Sequence, residues 1–410
     1  KTRKFKWQQR ENHSIFHELL STFFDGIRLS LLFAKDVIFP SSVKNVNATS
    51  VNESDLFFKL FRTTDNEKMH DKFLGYTKEE AALRLANVFK SIGLVDQFSK
   101  VVFIAGHGST TSNNPYFSAY GCGACSGRTG NINSIVFSSI AQDLEVQNIL
   151  REKYSIDIPR ETRFVPLMHD TTKDTFTFYG KTDGDIKPLV NRFREVSQMA
   201  LKKNAKLRCD DFELVSKQLT DDQALQETVK RAFSIFEPRP ELGHTKNALC
   251  IVGRRSSTRG FSFARRAFLQ SYDFAIDPEG VFLNAILSAA VPVCGGINLD
   301  YFYSKMNNRG IGAGSKLSHN VVGLVALSHG TEDDLLTGLA YQMVELHEPI
   351  RIMFVIEQKV EVVEKVIRGN SGIWPWIKNS WVKFACVDPD TREIHYFSDE
   401  KFSLLREGNL

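Results

Sequence analysis

The chain has 410 residues, 42% hydrophobic and 24% charged, which is enough for an ordinary globular core in one large unit or in two to three domains. Its formal net charge of +4 is dispersed rather than gathered in blocks, so composition speaks against a nucleic-acid surface. Six scattered cysteines (122, 125, 209, 250, 294 and 386) fit reduced thiols of a cytosolic protein better than a disulfide framework.

After a basic, polar start over residues 1–12, Ile15, Phe16, Leu19, Leu20, Phe23, Phe24 and Ile27 recur at three- and four-residue spacing. That period predicts an amphipathic helix with a wide apolar side, read first as core-facing and second as a partner or membrane surface. Residues 52–98 read as mostly helical, with a capping-box start at Thr77-Lys78-Glu79-Glu80. The first 98 residues are thus expected to form a largely helical entry region.

Val101 to Ala105 is a short apolar run closed by Gly106, the pattern of a buried strand. Ile132 to Ser155 predicts one helix, and Thr162 to Met168 a strand running into His169. Residues 185–235 read as long helices with a solvated face. Ala248 to Val252 predicts a further buried strand. Val281 to Ile297 is the closest approach to a membrane span, but Asn284, Pro292 and a Gly-Gly pair interrupt it, so no spanning helix is expected. Gly310 to Lys316 is glycine-rich but lacks the GxxxxGK[ST] spacing of a phosphate-binding loop. Arg351 to Ile356 and Trp381 to Val387 read as strands, Val360 to Ile367 as a helix and Trp374-Pro375-Trp376 as a turn. Strands alternating with helices place residues 99–397 in an α/β core and leave 398–410 as a tail.

The chemistry concentrates in Val101 to Gly130. Gly106-His107-Gly108 predicts a sharp turn that exposes an imidazole at the carboxyl end of a strand, the edge where open α/β sheets bind ligands. Fourteen residues separate His107 from Cys122, and Cys125 follows in a Cys-Gly-Ala-Cys run. Imidazole and thiolate are zinc ligands, and three or four are needed. His169, at the end of the next predicted strand, is the nearest further candidate. Spacing alone leaves a metal site and a glycine-rich loop with buried thiols both open.

GHGS, then Asn113-Asn114-Pro115, then Ser118 to Cys125 resembles the DabA family, the large soluble subunit of a bacterial inorganic carbon uptake complex. Later segments are similar too: Arg239 to Gly243, Arg266 to Asp273, Gly314 to Asn320 and Asp334 to Pro349. The quoted motifs place the likeness over roughly residues 100–397, with only a loose match before.

The resemblance implies a β-carbonic-anhydrase-like core: a mostly parallel sheet flanked by helices, with a helical N-terminal region. It puts two Zn2+ ligands on His107 and Cys122. The other two, with an Asp-Arg pair, sit in the family in a Cys-x-Asp-x-Arg motif upstream of the histidine. No Cys-x-Asp occurs before His107, and Cys209-Asp210-Asp211 lacks the arginine and follows the histidine, so that half-site is expected upstream of Lys1. Gly121 stands where the family more commonly has an acidic residue, and Ser126 where it has glycine. The implied activity is hydration of CO2 to bicarbonate by zinc-bound hydroxide, expected only within the full complex. The implied partner is a multi-spanning, proton-channel-like membrane subunit of the DabB type, and the implied location the cytoplasmic face of the bacterial inner membrane. A structural zinc protein without turnover and an enzyme using Cys125 as nucleophile remain the alternatives.

Overall fold

The computed structural model describes residues 15–39, 60–63, 68–69, 71–112, 121–122, 125, 128–180, 182–234, 237, 242–314, 320–322, 327–329 and 336–406. The motif residues Asn113–Pro115, Ser118–Tyr120, Gly123, Ala124, Ser126, Arg239–Glu241, Ser315–His319, Asp334 and Leu335 lie outside them.

Helix α1 (Ile15–Ile38) forms as its periodicity predicts. It does not face a core among the described residues, and this corrects the first reading. Leu19, Phe23 and Phe24 are 67%, 61% and 64% exposed. A two-residue hairpin, β1 (Lys68–Met69) with β2 (Lys72–Phe73), precedes α2 (Lys78–Ser91), so the described part of 52–98 is helical only over α2. The capping box at its start is complete: the Thr77 hydroxyl accepts from the Glu80 N–H, and the Glu80 carboxylate from the Thr77 N–H.

The first large unit continues with β3 (Val101–Gly108), α3 (Asn131–Ala141), α4 (Leu144–Tyr154), β4 (Arg163–Asp170), β5 (Thr175–Phe178), α5 (Lys187–Asp211) and α6 (Asp221–Ala232). The helix expected over 132–155 is two helices, because Asp143 leaves the helical conformation and caps α4 by accepting from the Val146 N–H. Strands β3 and β4 run parallel, β5 antiparallel, in the order β3-β4-β5. One sheet face packs Val102, Ile104 and Phe164 on α2, α3 and α4, with Phe89 at the centre of that core. The other packs Val101, Phe103 and Val165 on α5, where Phe193 stacks on Phe103 at 4.0 Å.

The second unit contains β6 (Leu249–Gly253), β7 (Ala267–Ser271), α7 (Val281–Met306), β8 (Asn320–Val322), β9 (Leu327–His329), α8 (Tyr341–Val344), β10 (Met353–Glu357), α9 (Val360–Gly369), α10 (Trp374–Lys378), β11 (Lys383–Val387), β12 (Ile394–Ser398) and β13 (Lys401–Leu404). The sheet order is β13-β12-β11-β10-β6-β7; β7, β6, β10 and β11 are mutually parallel, while β12 and β13 add an antiparallel hairpin. The winding direction reverses between β6 and β10. Across that crevice the Glu357 carboxylate accepts from the Arg254 N–H at 2.8 Å and its guanidinium at 2.6 Å. The fold is therefore α/β, with mixed sheets.

Helix α7 runs unbroken through Pro292 and the glycine pair that interrupt its sequence. Leu283, Ile286, Leu287 and Val291 enter the core of the second sheet. Gly295 allows this: a Cβ there would lie 2.9 Å from Val382 Cγ1. Among the described residues α7 is the one helix long and apolar enough to cross a membrane, a test that core helices of soluble proteins also pass. The expected turn at Trp374 is the start of α10, with Pro375 in its first turn.

Candidate metal centre

His107 lies inside β3, not in a turn after it, because the strand pairing continues to Gly108. Its register partner is His169 on β4, so the two imidazoles leave the same sheet face side by side near the carboxyl ends of parallel strands. The His107 side chain reaches solvent, yet the protein around it and then His169 push its pKa below the ordinary value. That favours neutral imidazole, the metal-binding form.

Glycines bring the cysteine loop against this strand. Gly130 N–H donates to the His107 carbonyl at 2.7 Å. A Cβ on Gly106 would lie 2.3 Å from Gly130 O, and one on Gly108 2.7 Å from Thr129 Cγ2. Only a strand without side chains at these positions lets the backbones approach so closely. The glycines around His107 thus serve close packing. Further along the same loop, Cys122 N–H donates to Arg128 O at 3.0 Å, Cys125 N–H to Cys122 O at 3.0 Å and Arg128 N–H to Cys125 O at 3.2 Å. Cys122 is buried and Cys125 half-buried. Burial, followed by a hydrogen bond with Cys122, pushes the Cys125 thiol up, while Asn133 Nδ2 donates to its sulfur at 3.2 Å.

A buried polar network anchors the strand ends. Asp174 is held by Arg208 at 2.8 Å and Asn204 at 2.8 Å, and Arg208 also donates to the carbonyls of Thr171 and Thr172. This holds Asp174 at φ +50, in the left-handed region. His169 Nε2 lies 3.6 Å from Asp174 Oδ1 and has no hydrogen-bond partner. Asp170 Oδ1 accepts from the N–H groups of Thr110 and Thr172, tying the loop after β3 to the loop after β4. Arg208 is 1% exposed, so α5 is not merely a solvated face. Sequence reasoning missed Asp174, Asn204 and Arg208, which meet only because α5 folds back over the sheet. Cys209, declined as a ligand, is a buried thiol donating to Ala224 O at 3.5 Å.

The donor types of His107 and Cys122 suit zinc, but two donors make half a shell. Among the described residues no three His, Cys, Asp or Glu side chains are placed to hold a metal. In particular, His107, Cys122, Cys125 and His169 do not form a closed shell.

What the fold and site define is an α/β protein with a histidine and a cysteine loop braced together at the carboxyl ends of parallel strands. The chain belongs to the DabA family: the family model described as "Probable inorganic carbon transporter subunit DabA" matches residues 1–382. The match begins at residue 1, well ahead of the motifs that first carried the resemblance. A relative so described from Azotobacter vinelandii is 42% identical over 378 residues, covering 90% of this chain and 44% of its own length. One from Nitrosospira multiformis is 37% identical over 96% of this chain and 44% of its own length. A third, "DabA 2" of Rhodopirellula baltica, is 41% identical over 84% of this chain and 32% of its own. The chain therefore spans less than half the length of these curated relatives. No solved structure matches.

Proposed function

We propose that the chain supplies the His107–Cys122 half of a zinc centre, in a subunit that hydrates CO2 to bicarbonate within an inorganic carbon uptake complex. The family description supports the uptake role. The observation that carries the chemistry is the glycine-braced approach of Thr129 and Gly130, at the end of the cysteine loop, to the β3 backbone around His107, at a sheet edge suited to ligands. On this reading the sheet of β3, β4 and β5 belongs to a β-carbonic-anhydrase-like core. A Cys-x-Asp-x-Arg segment from outside this sequence provides the remaining donors.

Zinc in such a centre lowers the pKa of water toward ~7, making hydroxide available at neutral pH. His107 offers neutral imidazole, and its backbone carbonyl is fixed by Gly130. Burial of Cys122 limits water around the sulfur. Strand pairing sets His169 beside His107, and its Nε2 is left without a hydrogen bond. The nucleophile alternative fits less well, because the raised Cys125 pKa disfavours the reactive thiolate. A local structural zinc fits less well because its four candidate ligands do not converge.

The complex on this reading includes a DabB-type multi-spanning subunit at the cytoplasmic face of the inner membrane, and α1 offers an apolar docking surface. Zinc stoichiometry tests the centre, on this chain and on a polypeptide extended to the relatives' length, each with and without Cys122→Ala. Zinc near one per chain only in the extended form, lost on Cys122→Ala, is the expected result. Zinc held equally by the short chain overturns the shared-site reading.

A further inference from the structure

We propose that Cys122 and Cys125 are a redox pair whose closure to a disulfide withdraws Cys122 from the metal centre. The withdrawal rests on the ligand role given to Cys122 above; the pairing does not.

The backbone already brings the two cysteines together. Cys125 N–H donates to the Cys122 carbonyl at 3.0 Å, the first-to-fourth bond that closes a β-turn. Such turns keep their end Cα atoms within about 7 Å, and disulfides span about 4.4–6.8 Å. The Cys122–Arg128 bridge closes the loop behind the turn, and Asn133 on α3 holds the Cys125 sulfur from the other side.

Exposure sets the order of events. Cys125 is partly exposed and Cys122 only 8% exposed, so an incoming oxidant meets Cys125 first. The oxidant class is a small disulfide such as glutathione disulfide. Cys125 first gives its proton to solvent, a step its raised pKa makes slow, and then attacks one of the disulfide sulfurs, forming a mixed disulfide and releasing one glutathione thiolate. Cys122, deprotonated by that thiolate, then attacks Cys125 Sγ, forming the internal disulfide and releasing the second glutathione. Two protein thiols are oxidised and one glutathione disulfide is reduced to two glutathiones, with the two protons passing to the leaving thiolates.

The other cysteines sit differently. Cys209 and Cys386 are buried and donate to the carbonyls of Ala224 and Gln358. Cys250 is 1% exposed inside the larger core, with Cys294 packed against that core.

The test incubates the folded chain over a series of glutathione redox ratios, quenches with acid and maps the crosslinked peptides. The expected result is a Cys122–Cys125 crosslink that grows with oxidised glutathione, disappears in Cys125→Ser and persists in Cys250→Ser. A lasting glutathione adduct on Cys125, or both thiols still free at the most oxidising ratio, overturns the proposal. On the extended polypeptide, zinc release should parallel the crosslink and be absent in Cys125→Ser. Zinc retained while the crosslink forms overturns the withdrawal from the metal. An unoxidised extended polypeptide that binds no zinc refutes the metal reading itself, and the crosslink measurement judges the redox pair independently of it.

Discussion

Replacing Gly106 with alanine puts the bracing of the cysteine loop to a direct test. The new Cβ would stand 2.3 Å from Gly130 O and 2.5 Å from Gly130 C, both backbone atoms that no rotamer change can move. Ordinary contact requires about 3.4 Å, so strand and loop must part by about 1 Å. The 2.7 Å bond from Gly130 N–H to the His107 carbonyl then lengthens toward about 3.7 Å and is lost. Overpacking costs about 1–3 kcal/mol and the hydrogen bond about 1 kcal/mol, giving about 2–4 kcal/mol together. Urea unfolding reads this as a lower midpoint at unchanged slope. Faster alkylation of Cys125 reports the displaced loop. Gly296→Ala is the control: it lies in α7 with nothing within 4 Å of an added Cβ, and should stabilise by up to about 1 kcal/mol. A Gly106→Ala protein with parental midpoint and parental alkylation rate would refute the bracing argument.

Three further outcomes follow from named contacts. Arg208→Met leaves Asp174 buried without its cation and should cost about 3–5 kcal/mol by denaturant unfolding, with Asp174→Asn in the same chain restoring part of it. His347 is 2% exposed, accepts from the Lys246 N–H at Nδ1, and has its pKa pushed down to about 4, by burial first and Lys305 next. Because the unfolded chain takes up that proton first, stability is full above about pH 6.5 and falls by about 3 kcal/mol as pH drops toward 4; His347→Asn should flatten this part of the stability–pH curve. Phe23→Ser with Phe24→Ser removes exposed rings only, so folding stability should change by less than about 0.5 kcal/mol while co-sedimentation with membranes carrying the partner subunit is lost.

The elements legible from sequence were those whose signal is local. The capping box at Thr77, the strands at Val101 and Ala248 and the amphipathic period of Ile15 to Ile38 each announce themselves within a few residues. The break at Asp143 was lost in an apolar pattern that runs on through it. The continuity of α7 was hidden by Pro292, whose cost the surrounding core offsets. In the candidate site, the motif around His107 and Cys122 could be read, but the role of its glycines could not: they spare contacts to Gly130 and Thr129, more than twenty residues away. Asp174 and Arg208 gave no signal, being 34 positions apart and charged, a composition that reads as surface until the partner is known.

The crevice between β6 and β10 has a meaning of its own. Sheets that reverse their winding open a cleft there, and ligands use it. Here the chain has installed its own occupant. Glu357 rests over Gly253, where a Cβ would stand 2.9 Å from the Glu357 Cβ, and neutralises Arg254 as an incoming carboxylate would. The second sheet thus carries an internal counter-ion as a keystone, rigid and self-satisfied. In the first sheet the neighbouring carboxylate, Asp174, is taken by Arg208 and Asn204 and stops 3.6 Å short of His169 Nε2, leaving that imidazole nitrogen open to a further partner.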